Sequence, residues 1–484
     1  MNWRTAAVLA VAAAQFINLF PTLLNFDRFA FGDCGWALTV DHLTVEGHQK
    51  PVTDFAYFYG LLTLLVDRGA FAIFGRTPLT VIGIYAVCSF AIAISTARIA
   101  TALNLRICSS VFLIACMPMI VIPRGFPSPA HALEAALLML ALAEHAKGRL
   151  ERSLVFTVLA VLAKPSLGYL YGLILVVLIL TGWPGGASRW RRFFPAAAVA
   201  AGMLGLFTAI FGVEPVLKTL LPLDGMKVYS DEGVGFLFGA GKLFWLPAEP
   251  KLEYYLGIPG VWLASSAVLF LAALRLLPRR RDTGANVAIT CALLHGVFVF
   301  ILFGNQWSWI YYPHVLFVGM AVALNGLSRR VGTVLAVPLT ILAIVGQANW
   351  LWVGDFEKWT ETQRYEETSR LYAPAAEAVE WEQARGLARN HPGRVLVLTR
   401  MGCPQFLATE LQGPQWWCLI ETIMTPREEK RILELLRNAD WIVSPNWHDN
   451  DLPTWKTLAT ERHHFEDDPA TAHFKFLKIY RRKK

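Results

Sequence analysis

Charge is what this sequence has least of: Asp, Glu, Lys and Arg make up 17% of its 484 residues, against 55% hydrophobic. Soluble domains carry about a quarter charged residues, so water is excluded as the solvent for most of this chain. Acids are rarer still inside the long apolar runs, where Glu134 is the main one, and no internal repeat is visible. Both absences weigh against a transporter, whose spans usually carry acids and whose halves usually repeat. Seven cysteines show no metal-ligand spacing. Cys88, Cys108, Cys116 and Cys291 fall in or beside apolar runs as small core residues, whereas Cys403 and Cys418 lie in the polar C-terminal portion. A phosphate loop is also lacking. The run Gly233 to Lys242 (GVGFLFGAGK) has Phe236 where a Gly belongs and Leu243 where Ser or Thr belongs. Arg400 to Pro404 (RMGCP) has no glycine fingerprint after its strand, and His463, His464, Asp467, Asp468 and His473 match no metal spacing.

What is present is a series of apolar runs from Ala6 to Trp352, each near the roughly 20 residues that span about 30 Å of hydrocarbon. The expected fold is an all-α polytopic membrane bundle of about eleven spans. These lie at residues 5–24, 79–98, 107–122, 129–146, 152–163, 167–182, 193–212, 256–277, 286–303, 313–327 and 331–352. No small-residue cleavage site follows the first run, so it reads as a retained helix. Net charge is +8, but the basic residues stand in short clusters between runs: Arg98 with Arg106, Lys147 with Arg149 and Arg152, Arg189 to Arg192, Arg275 to Arg281, and Arg329 with Arg330. That distribution is a topology signal and not a nucleic-acid footprint. It predicts a cytoplasmic N-terminus, outer loops at 25–78 and 213–255, and an extracytoplasmic C-terminus. The Lys164-Pro165 pair is the critical break. A proline there separates two short helices, whereas one kinked helix would invert everything after it.

Beyond Trp352 the composition becomes that of a soluble domain, dividing the chain into 1–352 and 353–484. Ala375 to Asn390 reads as a helix, Arg394 to Thr399 as a buried strand and Trp416 to Ile420 as another apolar run. Thr425-Pro426-Arg427-Glu428 is a helix start. Trp441 to Ser444 and His473 to Tyr480 complete a small α/β layer.

The first outer loop holds the strongest site signal, FGDCGWALTVDHLTVEGHQKPVTDFAYFYG from Phe31 to Gly60. Asp33 follows the first span, Gly47 and Pro51 mark a turn, and Asp54 opens an aromatic cluster containing Tyr57 and Tyr59. A carboxylate among aromatics at a membrane surface is suited to general-base work. Asp33 equally suits the cap of a helix from Cys34 to Glu46, and Asp54 an N-cap. Asp54 to Gly75, apolar but interrupted by Asp67 and Arg68, suits helices packed on the bundle or lying in the interface.

An acid just after the first span, an amphipathic helix ending in Gly, then Pro, an acid and a Tyr-Gly pair together resemble the first outer loop of GT-C glycosyltransferases. That superfamily includes protein O-mannosyltransferases and the aminoarabinose transferases that modify lipid A. Here Cys34 stands where the family often has a second acid, and Leu61 where it often has Pro. The resemblance implies a membrane glycosyltransferase, in a bacterial inner membrane, that moves a sugar from a polyprenyl-phosphate donor to a glycan, lipid or protein acceptor. It implies Asp33 as the base and Asp54 as a second acid of the site. It allows members with and without a divalent metal.

The leaving phosphate of such a reaction needs cations or donors. Arg124 in the outer turn PRGFPSP, Lys164 amid apolar sequence and His314 are the candidates. An ammonium at membrane depth implies a functional partner, although snorkelling also accommodates it. Trp307, Tyr312 and their neighbours in QWSWIYYPH offer stacking surfaces for prenyl chain or sugar, or form an interfacial belt. The rival functions are a transporter or flippase and a ligase for lipid-linked saccharides.

Overall fold

The computed structural model describes residues 3, 5–13, 33–45, 48–55, 57, 59–121, 129–181, 189–221, 258–297, 312–347, 380, 383–384, 386–387, 390–391, 395–399, 417–418, 426–445, 461–475 and 477–483. Residues 5–13 are helical. The segment expected to be the first outer loop then contributes α1 (Asp33–Val45) and α2 (Leu61–Phe74). The bundle continues with α3 (Pro78–Ala102), α4 (Ile107–Val121), α5 (Pro129–Ala146), α6 (Leu150–Ala163), α7 (Leu167–Leu180) and α8 (Phe194–Phe211). After the short α9 (Val213–Leu220) come α10 (Ile258–Leu276), α11 (Thr283–Gly296), α12 (Pro313–Gly326) and α13 (Arg329–Gln347).

Among the described residues four segments are long and apolar enough to cross a membrane: Gly83–Ala102, Trp190–Phe211, Gly260–Arg279 and Arg329–Gly346. Ile107–Ile120, Leu167–Leu180 and Pro313–Gly326 are shorter apolar helices. Leu271, Leu274, Val334, Ile341 and Ile344 point outward from α10 and α13, which only a lipid surround makes favourable. The chain is an integral membrane protein. At the centre stands α12, buried on every face from Pro313 to Leu324 and packed against α4, α10, α11 and α13. A helix apolar all round belongs in a core.

Local chemistry explains where the helices begin and end. Thr77 caps α3, its hydroxyl accepting from the Thr80 N–H at 3.3 Å, with Pro78 next in line. Asp282 caps α11 by accepting from the Gly284 and Ala285 amides at 2.7 and 3.3 Å. That cap starts α11 at Thr283, earlier than the residue 286 expected from hydropathy. Likewise α3 runs on to Ala102, and α13 starts at Arg329. Residues 213–255, expected to be loop, open with α9, whose exposed Leu217 and Leu221 lie on one side and buried Val216 and Thr219 on the other.

Lys164-Pro165 separates two helices. Tyr171 of α7 lies beside Ser153 of α6, their hydroxyls 3.1 Å apart, a contact that a single kinked helix could not make. The two pack closely enough that a Cβ on Gly168 would stand 2.9 Å from the Val161 side chain and 3.0 Å from its amide nitrogen.

The C-terminal portion folds as a five-stranded mixed sheet of β1 (Val395–Thr399), β2 (Trp417–Cys418), β3 (Trp441–Pro445), β4 (Phe465–Asp467) and β5 (Leu477–Arg482), in the order β2-β1-β3-β5-β4. The β1 strand runs parallel to β2 and β3, and β5 runs antiparallel to β3 and β4. Between β2 and β3, α14 (Pro426–Asn438) starts as its Thr-Pro signal predicts. The last strand begins at Leu477, not His473, because Pro469–Thr471 forms a 3-10 turn that delays it. One apolar cluster joins Val395, Val443, Phe474 and Ile479 of this portion to Val40 and Leu43 of α1, Leu61 and Leu64 of α2, and Leu162 of α6. Sheet and first-loop helices therefore share a core at one end of the bundle.

Candidate active site

That end is organised around the break between α6 and α7. The first-loop module is clasped to it through backbone: Gly60 N–H donates to Ala163 O at 2.9 Å, and Thr63 Oγ1 donates to the same carbonyl at 2.8 Å. A Cβ on Gly60 would stand 2.0 Å from Leu162 O, so no other residue permits this approach. The Tyr57 hydroxyl donates to Gly60 O at 3.3 Å, and its ring meets Tyr59 edge-on, 6.0 Å between centroids. Burial, followed by the nearby Asp67, pushes the Tyr57 phenol well above its ordinary value and keeps it a donor. Burial and then Asp41 also raise Asp67, while Asp41 pairs with Arg68 and Arg76 at 3.3 and 3.4 Å.

Next to the clasp lies a buried polar cluster. Glu134, on the first turns of α5, is 0% exposed. Ser166 Oγ donates to its two oxygens at 2.6 and 2.9 Å, the Tyr312 hydroxyl donates to Oε2, and the Gly168 N–H reaches Oε1 at 3.4 Å. Lys164 Nζ stands 3.7 Å from Oε2 and donates to the Tyr312 and Ser166 hydroxyls at 3.1 and 3.2 Å. The His131 ring lies between Tyr59 and Tyr312, at 6.0 and 6.2 Å, and His314 stands 5.9 Å from Tyr312. A carboxylate here would be intolerable alone. A cation and two hydroxyls compensate it.

Of the residues singled out from sequence, Tyr57, Tyr59, Lys164, Tyr312 and His314 converge on this end. Asp33 is the first residue of α1, so its place is at the positive end of that helix. Asp54 closes the turn 50–55, where its Oδ2 accepts from the Lys50 N–H at 2.8 Å. Val52 in that turn takes φ of +70°, a strained conformation for a β-branched residue. Arg124 and Trp307 lie outside the described residues, as do Gly233 to Lys242 and Cys403. Sequence reasoning missed His131 and the partnership of Glu134 with Lys164. The available signal was the coexistence of one acid and one cation in neighbouring apolar runs, each needing a partner. Among the described residues no three His, Cys, Asp or Glu side chains gather as a metal site would require.

No protein-family model matches the chain, and neither does any curated protein. Among solved structures, that of ArnT from Cupriavidus metallidurans bound to undecaprenyl phosphate is similar over 99% of this chain and 98% of that one, with a TM-score of 0.56 at 13% identity. Similarity that runs the length of both chains, bundle and C-terminal portion alike, means that this membrane protein has the fold seen in that ArnT structure.

Proposed function

We propose that this protein is a membrane glycosyltransferase that moves a sugar from a polyprenyl-phosphate donor to an extracytoplasmic hydroxyl. The observation that carries the reading is the end-to-end fold similarity to a protein solved with undecaprenyl phosphate bound. The clustering of Lys164, Tyr312 and His314 beside the first-loop module supports it. Residues 1–352 form the catalytic unit. Residues 353–484 form the extracytoplasmic domain, consistent with the core that its sheet shares with α1 and α2. The N-terminus is cytoplasmic, and the membrane is the bacterial inner membrane.

Asp33 takes the proton of the acceptor hydroxyl, whose oxygen attacks the anomeric carbon. The bond from that carbon to the phosphate oxygen breaks, and polyprenyl phosphate leaves with the electron pair. A single displacement inverts the configuration. Lys164, with Arg124, meets the charge developing on the leaving phosphate, and Asp54 is the second acid of the loop. Tyr57, Tyr59, Trp307, Tyr312 and His314 supply hydroxyl, imidazole and stacking contacts to donor and sugar.

The test is turnover of a panel of polyprenyl-phosphate sugars by purified protein in detergent, comparing wild type with Asp33→Asn. Release of polyprenyl phosphate that disappears in the variant is the expected result. Donor binding without release, unchanged by the substitution, would move the assignment to a transporter or flippase. A monosaccharide donor left untouched while a preformed polysaccharide donor is consumed would move it to a ligase.

A further inference from the structure

Glu134 is the charged member of the polar cluster that the proposed reaction does not use, and it is the most deeply buried. A hydroxyl has a single proton to donate. Ser166 spends its proton on Glu134 at 2.6 Å, and Tyr312 spends its own on Oε2 of the same carboxylate. Both hydroxyl oxygens, themselves 3.2 Å apart, therefore present only lone pairs to the Lys164 ammonium at 3.2 and 3.1 Å. A carboxylate in the middle thus fixes the proton order of two hydroxyls, and the two hydroxyls fix the ammonium. The lysine needs that help. Its backbone is fixed by the bond from its N–H to Ala160 O at 2.9 Å, but the long side chain beyond it has only the cluster to hold it. Its side chain keeps 12% exposure, while that of Glu134 keeps none. The cation faces the open side of the cluster and the anion the closed side.

We propose that Glu134 is a positioning residue that orients Lys164, through the Ser166 and Tyr312 hydroxyls, toward the phosphate of a lipid-linked ligand. The proposal rests on the transferase reading given above, and it adds a specificity: the cluster selects a phosphate-bearing polyprenyl lipid over the neutral alcohol of the same chain. Gln at position 134 keeps the volume but brings an amide donor. One hydroxyl must then turn its proton away from the carboxylate position, and the ammonium loses an acceptor. Asp at the same position keeps the acceptors but retracts them.

The experiment measures binding of undecaprenyl phosphate and of undecaprenol to the purified full-length protein in detergent. The variants are Glu134→Gln, Glu134→Asp, Tyr312→Phe and the pair Glu134→Gln/Tyr312→Phe. Wild type is expected to prefer the phosphate. Glu134→Gln should lose roughly tenfold or more of that affinity, the scale of one hydrogen bond to a charged group, with undecaprenol binding unchanged. Glu134→Asp should lose less. Tyr312→Phe should show the same selective loss, and the double variant should fall short of the sum because both act through one ammonium. Should Glu134→Gln fail to fold, Glu134→Asp and Tyr312→Phe carry the same comparison. Unchanged phosphate affinity in Glu134→Gln, equal losses for both lipids, or additive losses in the double variant would each overturn the proposal. A wild type that does not distinguish the two lipids would instead sink the donor reading itself.

Discussion

The two ends of α5 carry two glutamates in opposite circumstances. Glu134, near the start, is enclosed by Lys164, Ser166 and Tyr312, all drawn from other elements. Glu144, near the end, is ringed by Lys147, Arg149 and Arg152 at 3.0, 3.7 and 4.0 Å, cations from the turn after the helix and the first turn of α6. Those cations are 29 to 64% exposed. Water and counter-ions share the second arrangement, which makes it forgiving. The first has no such reserve: a buried charge that loses its partner keeps its full desolvation cost. Within one helix, the end that resembles an ordinary solvated surface is built redundantly, and the end that faces the proposed chemistry is built without spares.

Substitutions should separate the two ends in order of size. Glu134→Ala removes the carboxylate opposite the half-buried Lys164 and should cost up to about 3–5 kcal/mol, read as a large fall in thermal midpoint in detergent. A midpoint within a degree or two of wild type would mean that the lysine finds water in the cluster. Gly60→Ala forces a Cβ against Leu162 O and should cost about 1–3 kcal/mol, the range of overpacking. It should also speed proteolysis of the first-loop module before the bundle itself yields. Asp67→Asn tests the same end by pH. Because folding raises the Asp67 carboxyl, its contribution is fully present below the ordinary carboxylate range and is lost as pH climbs toward the raised folded value. The Asn variant should gain on wild type across that window by about 1.4 kcal/mol per pH unit; parallel stability curves would refute the burial argument. Glu144→Gln should cost about 1 kcal/mol or less and become smaller still in high salt.

Hydropathy and basic clusters made the bundle legible, because lipid imposes one rule on every span. The Lys164-Pro165 break was legible for the same reason, since a proline inside an apolar run has few other readings. The C-terminal strands could be read at β1 and β3, where Val395 to Thr399 and Trp441 to Pro445 are apolar runs bounded by breakers. Strand β4 has three residues and pairs only with β5, too short for any periodicity to register. The site was half legible. Tyr312 and Lys164 stood out as residue types in unusual places, but their meeting with Glu134 depends on the packing of α5, α6, α7 and α12, which no local pattern encodes. Asp33 was singled out as the base through the resemblance of its loop, and its position at the start of α1 does not set it apart from any other helix-opening Asp.

The far end of the bundle contains a long-range tie. Arg106, just before α4, donates its backbone N–H to Asn325 Oδ1 at 2.8 Å, and its guanidinium donates to Leu324 O and Leu327 O at 2.9 and 2.6 Å and to Asn325 O. These carbonyls are the unsatisfied C-terminal groups of α12, and Arg279 covers the Gly326 carbonyl at 3.2 Å. Arg106 emerges from the ribosome more than two hundred residues ahead of its acceptors. The early helices must therefore enter the bilayer with that guanidinium still served by water or lipid headgroups. The acceptors that latch this end exist only once α12 has been made, so a chain truncated before Pro313 would lack every one of them.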